Sequence, residues 1–315
     1  MISFVKYADI DKSQWDGCID NSINGNIYGY SWYLDIVCRE WNALIEDDYE
    51  AVCPLPSGRK FFIEYIYQPF FTQQLGVFSR KHLAPTVIKE FIDCLPKRFR
   101  YIDINLNISN KADELNCKLI PQLNHELALN LPYSGLVQGY AQNTRRNLRR
   151  AMQSEITLSS LSTPEEVVQL FRQNRGKYLT HLNNNEYSIL LHLINVCIHR
   201  GIAEVIGAYG DHNGLCAGAI FVRSHEKAIF LFSAVNAEAR TNGAMTLIID
   251  QFIRRNASNQ LTLDFEGSNN PELARFYKSF GATALIYPRI IISKLPLAAD
   301  IALKLLRLSQ GRAAS

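Results

Sequence analysis

The stretch LDFEGSNNPELARFYKSFGA, Leu263–Ala282, decides the fold, because within it a strand hands over directly to a helix. Leu261, Leu263 and Phe265 alternate with Thr262, Asp264 and Glu266, which gives the strand one apolar and one acidic face. Asn270 is a good N-cap, Pro271 suits the first helical position, and Glu272 falls in the first turn. Leu273, Phe276, Tyr277 and Phe280 then share one helical stripe, and Gly281 stands where a left-handed cap belongs. The unit is β-turn-α, with two carboxylates at the far end of its strand. Taken alone, it reads equally well as an ordinary structural unit with a solvated polar face.

Working outward, 315 residues of which 47% are hydrophobic can fill one large or two medium cores. A net charge of +3 suits an anionic ligand but is too small for a dedicated nucleic-acid binder. The seven cysteines are scattered, odd in number and free of CxxC spacing, as expected for buried thiols in a reducing compartment. No positive segment followed by an apolar run opens the chain, and no run approaches 18 apolar residues. The expectation is a soluble cytoplasmic protein with no membrane span.

Periodicity divides the rest into two parts of similar element order. The first has a strand near Ile2–Tyr7, a helix around Tyr30–Trp41, hairpin strands through ALIEDD, EAVCPLP and KFFIEYIYQPFF, a helix at Ala84–Cys94, and the strands RYIDINLN and HELALNL. The second has a basic helix at Asn143–Gln153, two further helices, and a three-strand meander over IAEVIGAYG, LCAGAIFVR and AIFLFSAVN. A helix at Gly243–Arg255, the opening stretch and the strand ALIYPRIIIS complete it. This predicts a mixed α/β chain with a first domain over 1–135, a second over 136–295, and an amphipathic helical tail over 296–315.

Metal and nucleophile motifs are lacking. His192 and His199 stand seven residues apart on one helix, about 10 Å along its axis, too far to share an ion. There is no HExxH, GxSxG, P-loop or GxGxxG. Two constellations remain. In NTRRNLRRA, Arg145 stands above Arg149 and Arg146 above Arg150 at i, i+4 spacing, with Leu148, Ala151 and Met152 opposite. Such a cluster serves a phosphate or diphosphate, or is a solvated basic face. In FSAVNAEARTNGAMTLIIDQF, a loop carrying Arg240 and Asn242 leads to Gly243 and Ala244 at a helix start, where free N–H groups suit an anion.

ARTNGAMTLIIDQFI and LDFEGSNNPELARFYKSFGA, following YAQNTRRNLRRA, resemble the Fem-type branch of the GNAT acyltransferase superfamily over most of residues 138–292. That branch includes peptidoglycan-bridge aminoacyltransferases and acetyltransferases of polysaccharide biosynthesis. The resemblance implies two tandem GNAT-like domains, with the active cleft built largely by the second. It implies transfer of an acyl group, from acyl-CoA or aminoacyl-tRNA, onto an amine of a cell-envelope precursor, without a metal. The acceptor end of a tRNA is then a possible partner. Glu266 and Asp264 become the acceptor-side carboxylates. Tyr277 is a candidate acid for the leaving group, in competition with a core role. Arg240, Asn242, Gly243 and Ala244 become the donor loop, although Met245 stands where the superfamily's CoA loop has a small residue. The alternative is a non-catalytic GNAT-like protein that binds an anionic ligand or partner.

Overall fold

The computed structural model describes residues 1–38, 40–179, 182–210, 214–267 and 269–296. These fall into two compact units, Met1–Leu123 joined by the segment from Ile286, and Asn124–Leu285. Both are mixed α/β, as the sequence implies. The expected tail lies, apart from Pro296, outside the described residues.

The first unit contains β1 (Ile2–Val5), α1 (Lys12–Asn21), α2 (Ser31–Val37), β2 (Trp41–Glu46), β3 (Ala51–Lys60), β4 (Ile63–Tyr67), β5 (Phe78–Ser79), α3 (Pro85–Asp93) and β6 (Phe99–Asn105). Antiparallel pairs join β1 to β2, β2 to β3 and β3 to β4, and β4 then runs parallel to β6. Two sequence readings change here. The helix read as Tyr30–Trp41 stops at Val37, because Trp41 is buried in β2, where its ring packs 4.9 Å from that of Trp15. Helix α1 was not anticipated. Asp11 caps it by accepting from the N–H groups of Ser13 and Gln14, and Trp15, Cys18 and Ile19 bury one face.

The chain passes from the first unit to the second within β7 (Lys118–Ala128), which starts seven residues earlier than HELALNL suggests. The second unit continues with α4 (Tyr133–Gln138), α5 (Gln142–Gln153), β8 (Thr157–Ser159), α6 (Pro164–Gln173), α7 (Asn184–His199), β9 (Ala203–Tyr209), β10 (Leu215–Ser224) and β11 (Lys227–Val235). It closes with α8 (Ala237–Asn242), α9 (Ala244–Asn256), β12 (Thr262–Asp264) and α10 (Pro271–Lys278), before β13 (Thr283–Ser293) returns to pair antiparallel with β6. Strands β8 to β11 form the antiparallel meander; β12 lies parallel to β11 and antiparallel to the end of β7. Its core is aromatic: the Phe221 and Phe252 rings stack at 3.9 Å and 8°, joining β10 to α9.

All seven cysteines are free. Five are buried, whereas Cys94 is exposed and Cys117 half-buried.

Candidate active site

Strands β11 and β12 pair over three residues only, Lys227–Thr262, Ala228–Leu263 and Ile229–Asp264. There they part. β11 continues to Val235, while the chain leaves β12 after Asp264, so Phe230–Val235 has no strand partner on that edge among the described residues. Glu266 therefore does not extend the strand face of Asp264, as alternation had implied. The Phe265 N–H donates to the His125 carbonyl at 2.9 Å, and the His125 N–H donates to the Glu266 carbonyl at 3.3 Å. Two residues thus oppose one, the arrangement of a β-bulge, which re-aims the side chains it carries. Glu266 has φ +59°, unusual for a residue with a β-carbon, and its side chain is partly exposed.

Asp264 is 5% exposed and holds this turn in place, its Oδ1 accepting from the Glu266 N–H at 2.8 Å. Its Oδ2 accepts from Asn124 Nδ2 at 3.2 Å and lies 3.7 Å from Lys227 Nζ. Lys227 also reaches Glu126 Oε1 at 2.6 Å, so two carboxylates share one ammonium. Burial pushes the Asp264 carboxyl up to about 6, with Glu126 reinforcing the rise and Lys227 opposing it. The folded protein then keeps a proton that an unfolded aspartate, with an ordinary value of 3.8, releases earlier. The stability this group contributes is full below 3.8 and is lost as pH rises through about 6. Against an Asp264→Asn variant, wild type should lose on the order of 2 kcal/mol of relative stability between pH 4 and 7.5. Urea unfolding across that range measures it, and a flat difference would show that Asp264 stays charged throughout.

Tyr277, on α10, is 8% exposed, its ring stacked 5.0 Å from Phe265 at 21°. Burial, then the Glu266 charge, push its phenol well above the usual range, so at neutral pH the hydroxyl keeps its proton. Beside it, 5.8 Å between ring centres, sits His125, fully buried and with neither ring nitrogen hydrogen-bonded among the described residues. Burial, with Lys278 nearby, lowers the affinity of this imidazole for a proton. Sequence reasoning passed over His125 as a site residue. The signal was present: His125, Leu127 and Leu129 alternate with Glu126, Ala128 and Asn130, which turns the histidine inward.

The four arginines of α5 divide into two pairs. The Arg145 guanidinium donates to the carbonyls of Val137, Gln138 and Tyr140, and Arg150 donates to the Thr241 carbonyl at 2.8 Å. Arg146 and Arg149 make no hydrogen bond or ion pair among the described residues. With Gln142 and Asn143 they line a cleft of about 300 Å³. Thr144 fixes the opposite side of α5, donating to the carbonyl and hydroxyl oxygens of Ser279.

Arg240 and Asn242 lie on the short helix α8 rather than in a loop, because Asn236 caps it by accepting from the Ala239 N–H. Arg240 is exposed. Gly243 has φ +83°, and a β-carbon there would lie 2.5 Å from the Asn147 carbonyl oxygen, so α5 packs against this turn. Asn242 Oδ1 accepts from the Ala244 N–H at 2.9 Å, and Ala244, Met245 and Thr246 are buried. The first N–H of α9 is thus taken by Asn242, and the turn that follows is covered.

No family model and no curated protein matches the sequence. Solved structures do match in shape. The crystal structure of FemX superposes with a TM-score of 0.63 at 13% identity, over 93% of this chain and 98% of that one. The fold is Fem-like. L-PGS from Bacillus licheniformis gives a TM-score of 0.55 at 11% identity, over 96% and 97% of the two chains. The C-terminal domain of a putative lysylphosphatidylglycerol synthetase from Agrobacterium fabrum gives 0.53 at 12%, over 93% and 96%. Within this Fem-like fold Asp264, Glu266, Tyr277 and His125 cluster around the end of β12. Among the described residues, no group of three or more His, Cys, Asp or Glu side chains is placed to hold a metal ion. None of the described helices is long and apolar enough to cross a membrane.

Proposed function

We propose that this protein is a cytoplasmic acyl- or aminoacyltransferase that acylates an amine of a cell-envelope precursor, of peptidoglycan or polysaccharide type. The observation that carries this is the parting of β11 and β12 after Ile229–Asp264, with Glu266 turned aside at the opening. Likeness to FemX over nearly the whole chain supports it. So does likeness to a domain described as part of a putative lysylphosphatidylglycerol synthetase. An acceptor amine is mostly protonated at neutral pH; Glu266 orients the ammonium and takes up its proton. The free amine attacks the acyl carbonyl, and a C–N bond forms as the donor's C–O or C–S bond breaks. N–H groups on the edge of β11 that β12 leaves open, along Ser233–Val235, face the developing oxyanion, and Tyr277 gives the leaving group a proton as the amine nitrogen sheds its second one.

With its Ala244 N–H taken by Asn242 and its first residues buried, the start of α9 offers little to a CoA pyrophosphate, whereas the cleft beside Arg146 and Arg149 suits nucleic-acid phosphates, which supports aminoacyl-tRNA over acyl-CoA. A melting-temperature panel of CoA, acyl-CoAs, aminoacyl-tRNA and UDP-linked muropeptides tests this, since a ligand at 100 times its Kd stabilises by about 2.7 kcal/mol. Stabilisation by none of them would remove the proposal. A non-catalytic anion binder is the second reading, favoured by the arginine cleft alone.

The cleft makes its own prediction. Arg146→Gln with Arg149→Gln should weaken binding of the stabilising phosphorylated ligand and flatten its salt dependence, with the melting temperature unchanged. Arg145→Gln with Arg150→Gln should melt earlier instead, because carbonyls of α4 and α8 lose their donors. Equal effects from the two pairs would return the whole cluster to a solvated face.

A further inference from the structure

The tip of the β3–β4 hairpin departs from what folding alone would choose. Lys60 pairs with Ile63, leaving Phe61 and Phe62 as a two-residue loop, and both have positive φ, 48° and 63°. That is a type I′ turn, which asparagine and glycine fill readily and bulky side chains resist. The same two side chains are 84% and 90% exposed. Folding is disfavoured twice at one place, by backbone strain and by apolar exposure. Each ring has a cation beside it: the Arg59 guanidinium lies 5.6 Å from the Phe62 ring centre and Lys60 Nζ lies 5.7 Å from that of Phe61. Neither cation makes an ion pair among the described residues. Glu64, opposite Arg59, is engaged by Arg98 at 2.9 Å.

We infer that this tip docks the protein on an anionic phospholipid surface. Two phenylalanines at a hairpin apex are too small a patch for a stable protein interface, which needs about 800 Å² per partner. They are the right size to enter the headgroup–acyl boundary. Arg59 and Lys60 then reach the lipid phosphates, each long stem lying along apolar surface with its charge outward. The inference is independent of the proposed catalysis.

Co-flotation with vesicles of phosphatidylcholine containing about 30% phosphatidylglycerol tests it. Wild type should float with these vesicles and much less with pure phosphatidylcholine. Phe61→Asn with Phe62→Gly should cut binding by about tenfold or more, with a melting temperature no lower than wild type because Asn-Gly suits the turn. Arg59→Gln with Lys60→Gln should lose the preference for anionic vesicles and its salt dependence. A Phe62→Trp variant should show blue-shifted emission on adding anionic vesicles. Absence of wild-type flotation, or unchanged binding by the Phe61→Asn, Phe62→Gly variant, would overturn the inference. Lipid-free self-association that this variant abolishes would overturn it too, by assigning the tip to a protein contact.

Discussion

Replacing Glu266 by glutamine lowers turnover by about 10²–10⁴-fold while leaving the melting temperature nearly unchanged. The rate loss is expected because an amide cannot take up the proton that an attacking ammonium must shed. The fold is expected to survive because backbone groups hold the bulge, the Glu266 N–H on Asp264 and the Glu266 carbonyl on His125. Glu266→Asn, which tolerates left-handed φ well, serves as a second variant: equally inactive and equally stable. Once a substrate is in hand, steady-state kinetics decide. Full activity in Glu266→Gln would remove the carboxylate from the chemistry and leave catalysis by positioning alone.

The second large effect is on stability. Lys227→Met leaves Asp264 and Glu126, with side chains 7% and 16% exposed, facing one another without their shared cation. Breaking such a buried arrangement from one side costs about 2–4 kcal/mol, somewhat discounted because Lys227 is itself about one-third exposed. The loss should be greatest near pH 7.5 and smaller near pH 5, where Asp264 takes a proton and the repulsion falls. Urea unfolding at both values distinguishes this from simple loss of packing, which would cost the same at each. A variant as stable as wild type at pH 7.5 would show that solvent already screens the pair. Since Asp264 also holds the Glu266 N–H, Lys227→Met should weaken activity as well as the fold.

How much of this was legible in the sequence depends on the range of the forces involved. Helix α10, with Asn270, Pro271 and its aromatic stripe, is written locally and forms where expected. The same holds for α5 and α9. The bulge at Glu266 is not local: pairing with His125, 141 positions earlier, forces a left-handed backbone on a glutamate whose neighbours read as plain strand. Lys227 was equally hidden, because parallel pairing of β11 with β12 brings it beside Asp264 across 37 residues. The four arginines looked equivalent at i, i+4 spacing. Carbonyls on α4 and α8, invisible to helix periodicity, bind two and leave Arg146 and Arg149 to the cleft. Glycine at 243 was read as part of an anion-binding helix start; packing of α5 against it is a second reason for that residue.

Transfer itself can be measured without knowing the acyl group in advance. Purified protein is incubated with a mixture of aminoacyl-tRNAs and acyl-CoAs together with UDP-linked muropeptides, and the precursors are weighed by mass spectrometry. Wild type should add the mass of one carboxylic or amino acid, less water, to a precursor amine, from aminoacyl-tRNA in preference to acyl-CoA, and Glu266→Gln should add almost none in the same time. Precursors left unmodified by wild type, although a donor and a precursor both bind, would contradict acyl transfer at the opening between β11 and β12.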